Sequence, residues 1–178
     1  TEPASNIEVL PDSKQFKILQ LSNAVFCPSG YGVQSQGNLY EWNKYYDVRQ
    51  LANYGVQGRQ IALNGLKIMP CLPGDDHGGR TAQLIFRSGW NPDIFITLYD
   101  IWMGAYVESA VTPSGFKPIH PHWIPQIMVD HEPIPEATLI QAAEAYRIVT
   151  PTHFGVNEFR RHGIDKAIDP GPPVVGNG

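Results

Sequence analysis

The stretch Trp123–Gly163, WIPQIMVDHEPIPEATLIQAAEAYRIVTPTHFGVNEFRRHG, decides the fold. Ile124–Val129 is an apolar run of strand length that stops at Asp130-His131-Glu132 and two prolines, Pro133 and Pro135. A helical pattern follows through Ala137, Ile140, Ala143 and Ala145. A second short run, Tyr146–Val149, stops at Thr150-Pro151-Thr152, and a second helical pattern starts through Phe154, Val156 and Phe159. Strand, polar loop and helix, repeated, predict a parallel sheet with helices on its faces. Ligands of such open sheets sit beyond the carboxyl ends of the strands. Asp130, His131, Glu132, Thr150, Thr152 and His153 are therefore expected on one rim.

Composition narrows the class. With 178 residues, 42% apolar and only 17% charged, the chain fits one globular domain with a real core. A net charge of −4, with no basic cluster larger than Arg160-Arg161, gives no support for nucleic-acid binding. Two cysteines, Cys27 and Cys71, make no disulfide framework, so the expected setting is the reducing cytoplasm. No apolar run reaches the roughly 18 residues of a membrane span, and no signal peptide is visible.

Working outward, Phe16–Ser22 reads as the first strand. It enters Asn23–Gln36, which holds Pro28-Ser29-Gly30-Tyr31-Gly32. A glycine-bearing turn from strand to helix lets backbone N–H groups approach a phosphate or sugar; the plain alternative is a turn. Val33–Tyr46 reads as a helix, and Val48–Tyr54 as either its continuation or a second strand. Asn64-Gly65 between apolar runs in Arg59–Cys71 is a hairpin signal. Leu72–Gly79 reads as a polar loop and Gly79–Ser88 as a short helix. Ile94–Leu98 is a buried-type parallel strand that delivers Asp100 to the same rim. Met103–Val111 reads as a helix and Thr112–Pro121 as a proline-rich loop. Residues 1–15 read as an extension, and 165–178 as a linker or the start of a further domain.

In order and spacing, FKILQLS with PSGYG, YGVQG with NGLKIMPC, PDIFITLYDIW, WIPQIMVDHEPIP and YRIVTPTHFGVNEFRRHGI resemble the N-terminal domain of a retaining GT-B glycosyltransferase of the group 1 (family four) type. The resemblance covers Phe16 to Ile164 and places a strand at Val48–Tyr54. It implies a three-layer Rossmann-like α/β domain over 16–164 with a mainly parallel sheet, the acceptor-side half of a GT-B architecture. It implies transfer of a sugar from a nucleotide-diphosphate donor to an acceptor hydroxyl, with no cofactor and no metal. The donor-side domain, with its Glu-x7-Glu signature, has no counterpart here. A second domain is thus an expected partner, and little activity is expected of this chain alone.

The resemblance also assigns roles. Asp100 and Asp130 would hydrogen-bond sugar hydroxyls or orient the acceptor, and His131 would contact the donor sugar or a phosphate. Gly30, Tyr31 and Gly32 would offer contacts to phosphates or acceptor, joined by Thr152 and His153. Thr152 reads equally well as a helix N-cap. No protein nucleophile is assigned. A zinc site built on His120-x-His122 is a rival of low specificity. Two other functions compete: a non-catalytic Rossmann-like binding or assembly module, and a dinucleotide-binding oxidoreductase domain. Against the latter, Gly30-x-Gly32 followed by Gly37 lacks the G-x-G-x-x-G spacing.

Overall fold

The structure is a computed structural model, and it describes residues 16–75, 77–100 and 122–168. The expectations for 1–15, Met103–Val111, Thr112–Pro121 and His120, and for the chain from 169 onward, lie outside these residues. In chain order the elements are β1 (Lys17–Asn23), α1 (Gly30–Trp42), β2 (Asp47–Tyr54), β3 (Ile61–Leu63), β4 (Leu66–Pro70), α2 (Gly79–Phe86) and β5 (Ile94–Leu98). They continue with β6 (His122–Gln126), α3 (Glu136–Glu144), β7 (Ile148–Val149), α4 (His153–Arg161) and β8 (Ala167–Ile168).

The strands form one eight-stranded sheet in the order β3-β4-β2-β1-β5-β6-β7-β8. Every described pairing is parallel except the β3–β4 hairpin. That hairpin turns on Asn64 and Gly65, both at positive φ (50° and 81°), as a two-residue primed turn requires. The chain first builds outward from β1 to β2 and β4, then crosses back to place β5 on the other side of β1. The strand order therefore reverses between β1 and β5.

Side-chain alternation divides the core by sheet face. Ile18, Val48, Ile68 and Ile96 pack with Leu39 of α1 on one face. On the other, Leu19, Leu21, Leu51 and Phe95 pack with Ala82 and Phe86 of α2, and the two phenylalanine rings meet edge to face at 5.0 Å. Trp123 links that cluster to a third, in which Ile127 and Ile148 pack with Ala142 of α3 and Phe159 of α4. The result is three layers, with α1 on one side and α2, α3 and α4 on the other. This mainly parallel α/β arrangement is compatible with the Rossmann-like class.

Among the boundaries that differ from the sequence reading, three have a clear physical reason. α1 begins at Gly30, not Val33, because Ser29 caps it: its Oγ accepts from the Gly32 N–H at 3.1 Å. β6 is His122–Gln126 rather than Ile124–Val129, because its outer neighbour β7 is only two residues long and pairs at Gln126 alone. The segment after 164 contributes Ala167–Ile168 to the sheet, paired with β7. Lys166 fastens that crossover by donating to the carbonyls of Ala143 and Ala145 at the end of α3, where a cation also suits the helix dipole.

Candidate functional site

The reversal between β1 and β5 leaves a crevice at their carboxyl ends, where open parallel sheets bind ligands. Ser29 organises its near wall. Besides capping α1, its Oγ accepts from Asn23 Nδ2 at 2.9 Å, tying the helix start to the end of β1. Gly32 belongs to the buried stripe Gly32, Ser35, Leu39, spaced to face the sheet. A Cβ there would stand 2.2 Å from the Cys27 carbonyl oxygen. The glycine is thus required by close packing of the helix on its own loop. Its N–H donates to Ser29 Oγ. Gly30 has open space where a side chain would be.

Two distant segments meet at this point. The Tyr31 hydroxyl donates to Asp100 Oδ1 at 2.7 Å, joining α1 to the end of β5. The Tyr31 ionisation is raised by burial first, then by the bond to Asp100, then by the charges of Asp100 and Asp130. Asp130 and His131 are themselves joined, His131 Nδ1 to Asp130 Oδ1 at 2.6 Å, and both are exposed. Tyr31 and Asp100 are therefore in direct contact.

Thr152 and His153 stand apart in role. Thr152 Oγ1 accepts from Gly155 N at 3.1 Å, so it is the N-cap of α4. Thr152→Ala should cost about 1 kcal/mol and lower Tm by about 2–4 °C in a thermal melt, with ligand binding unchanged. His153 occupies the first helical position and is exposed.

The bond from His131 holds the Asp130 carboxyl below its ordinary range, since a donated hydrogen bond and nearby positive charge favour the carboxylate. A depressed folded-state value stabilises the fold above the ordinary carboxylate range, and that contribution disappears as pH falls through the lowered value. We expect the Asp130 carboxyl ¹³C resonance to titrate below that of a free aspartate, and His131→Ala to return it upward. A carboxyl that titrates alike in both proteins would refute the pairing.

Two features escaped the sequence reading. Asp75, in the loop before α2, accepts from the N–H groups of Arg80 (3.3 Å) and Thr81 (2.7 Å) and from the Thr81 hydroxyl, so this polar loop serves as the cap of α2. The spacing Asp75 to Arg80–Thr81 is longer than a simple cap motif. Arg161 of α4 donates to Glu132 in the rim loop at 3.0 Å and to the buried Glu158. Only contact in space reveals that tether. Among the described residues no cluster of three metal-ligating side chains occurs, and no helix is long and apolar enough to cross a membrane. No family model matches the chain, and no match was found among curated proteins.

Proposed function

We propose that this chain is the acceptor-side half of a GT-B glycosyltransferase, which positions an acceptor hydroxyl for attack on a nucleotide-activated sugar. The observation that carries the reading is the junction of Tyr31 with Asp100, within the field of Asp130, at the point where the strand order reverses. Sugar transfer needs an acceptor held in line with the anomeric carbon, and carboxylates that accept from its hydroxyls provide that orientation. The charge growing on the leaving diphosphate needs donors or cations. The groups described at this crevice are mainly acceptors, which agrees with donor binding by a second domain.

The dinucleotide alternative has less support, because the Gly32 N–H that would face a pyrophosphate is held by Ser29. The test is a transfer assay on the polypeptide that carries this chain together with its donor-side domain. Nucleoside diphosphate sugars would be supplied singly, and release of nucleoside diphosphate followed. Release that depends on an added hydroxyl acceptor is the expected result. If no donor is turned over with any acceptor, the proposal fails.

A further inference from the structure

Glu158 is a carboxylate on the buried side of α4, 2% exposed and grouped with Gly155, Val156 and Phe159. A buried charge is costly unless it is paired, so its presence there needs a reason. Its hydrogen-bond partner among the described residues is Arg161, one turn along the same helix. Arg161 donates to it from Nη1, the same nitrogen that donates to Glu132 Oε2 at 3.0 Å. Glu132 and Arg161 are both exposed. Glu132 lies in the arc 130–133 between β6 and α3, with Asp130 and His131. The arc is pinned at its ends, because Ile127 before it and Ile134 after it are buried in one cluster with Phe159 of α4. Between those ends, Arg161 to Glu132 is its one sequence-distant hydrogen bond among the described residues, and the bond between Asp130 and His131 is internal to it.

An exposed pair such as Arg161 with Glu132 ordinarily contributes little, because two long side chains must be ordered to make it and water screens it. Here one of the two is already ordered. The buried carboxylate fixes the guanidinium, and the helix that carries both packs on the core through Phe159. Glu132 therefore meets a cation held in place. We infer that Glu158 and Arg161 form an anchor for the rim loop: Arg161 is a positioning residue for Asp130 and His131, and the loop is released wherever its contact with Glu132 is screened or lost. This goes beyond the transferase reading and does not depend on it. The competing account is that Glu158 and Arg161 only stabilise α4, as an ion pair three residues apart on a helix. The two accounts part over an apolar side chain at 158. A buried ion pair replaced by an apolar group of similar volume usually costs no stability. On the anchor account that change spares the fold and frees the loop. On the competing account it weakens the fold and leaves the loop alone.

The experiment is backbone ¹⁵N relaxation of the full chain, with thermal melts, on wild type, Glu132→Ala, Glu158→Met and Arg161→Ala. In wild type the amides of residues 131 and 132 should have order parameters near the roughly 0.85 of rigid backbone. In each of the three variants they should fall below about 0.6, while the Phe159 amide stays rigid. Tm should stay within about 2 °C of wild type in Glu132→Ala and Glu158→Met. It should fall by about 4–8 °C in Arg161→Ala, which leaves the Glu158 carboxylate buried without its partner. Sodium chloride at about 1 M, which screens an exposed contact, should loosen the wild-type loop and change Glu132→Ala little. A loop that stays rigid in Glu132→Ala, or that is already mobile in wild type, overturns the inference. So does a Glu158→Met protein whose Tm falls as far as that of Arg161→Ala while its loop stays rigid. If Glu158→Met does not fold, Glu132→Ala and the salt titration decide.

Discussion

Gly32→Ala should destabilise this protein strongly. The added carbon would lie 2.2 Å from the Cys27 carbonyl oxygen and 3.1 Å from that of Ala24. Both are backbone atoms of a turn that has little room to yield. Cys27 N donates to the Ala24 carbonyl and Ser29 N to the Cys27 carbonyl, each at 2.8 Å. Behind the turn, a Cβ on Gly55 would meet Cys27 Sγ at 2.3 Å, so the thiol already fills that space. Relief must come from moving the first turn of α1 off the sheet, at about 3 kcal/mol, the upper part of the range for overpacking. That corresponds to a fall in Tm of roughly 6–12 °C for a domain of this size. The same motion carries Tyr31 away from Asp100, so binding at the crevice should be lost even in the fraction that stays folded. Gly37→Ala is the control. Nothing lies within 4 Å of its added carbon, so alanine there should stabilise the helix by about 0.5–1 kcal/mol. If both variants melt together, the packing described for the helix start is wrong.

Asp100→Asn should produce the largest functional loss. Asparagine keeps an oxygen for the Tyr31 hydroxyl, so the junction of α1 with β5 should persist and Tm should move little. The loss is the negative charge offered to an acceptor hydroxyl. A charge-assisted hydrogen bond is worth about 1.5–3 kcal/mol, so kcat/KM in the transfer assay should drop by about 10²-fold. Tyr31→Phe makes the opposite cut, removing the hydroxyl that orients Asp100 while leaving its charge. It should cost less, about tenfold, and mostly in KM. Equal and small effects from both variants would mean that the crevice does not hold the acceptor.

The sheet was legible because its strands obey simple patterns. Ile94–Leu98 is a largely apolar, β-rich run and became β5 with the expected limits. Asn64-Gly65 formed its turn because few other dipeptides tolerate two positive φ angles in succession. The start of α1 was misplaced because Gly30, Gly32 and Gly37 disfavour a helix. Packing of Leu39 and the Ser29 cap override that local preference. The rule for parallel sheets pointed to the ends of β5 and β6, but it did not reveal the partners of Asp100 and Asp130. The bond of Tyr31 to Asp100 spans 69 positions, and no pattern in the chain announces it.

Pro125 sits in the middle of β6, in register with Thr97 of β5. The Trp123 carbonyl accepts from Tyr146 N, and Ile127 N donates to the Val149 carbonyl, so residues of this parity face β7. Pro125, sharing that parity, has no N–H to give. The described pairing at the seam of β6 with β7 is a single bridge at Gln126 and Val149, and Pro125 removes one donor beside it, whereas β1 and β2 pair along seven residues of β1. Under native conditions the last two strands and α4 should detach together well before the rest of the molecule melts, a hinge-like weakness along one line. Deuterium uptake at Val149 and Ile168 would then run ahead of uptake at Leu19 and Leu51. The rim loop bearing Asp130 hangs directly from that seam, so it should share in that local opening.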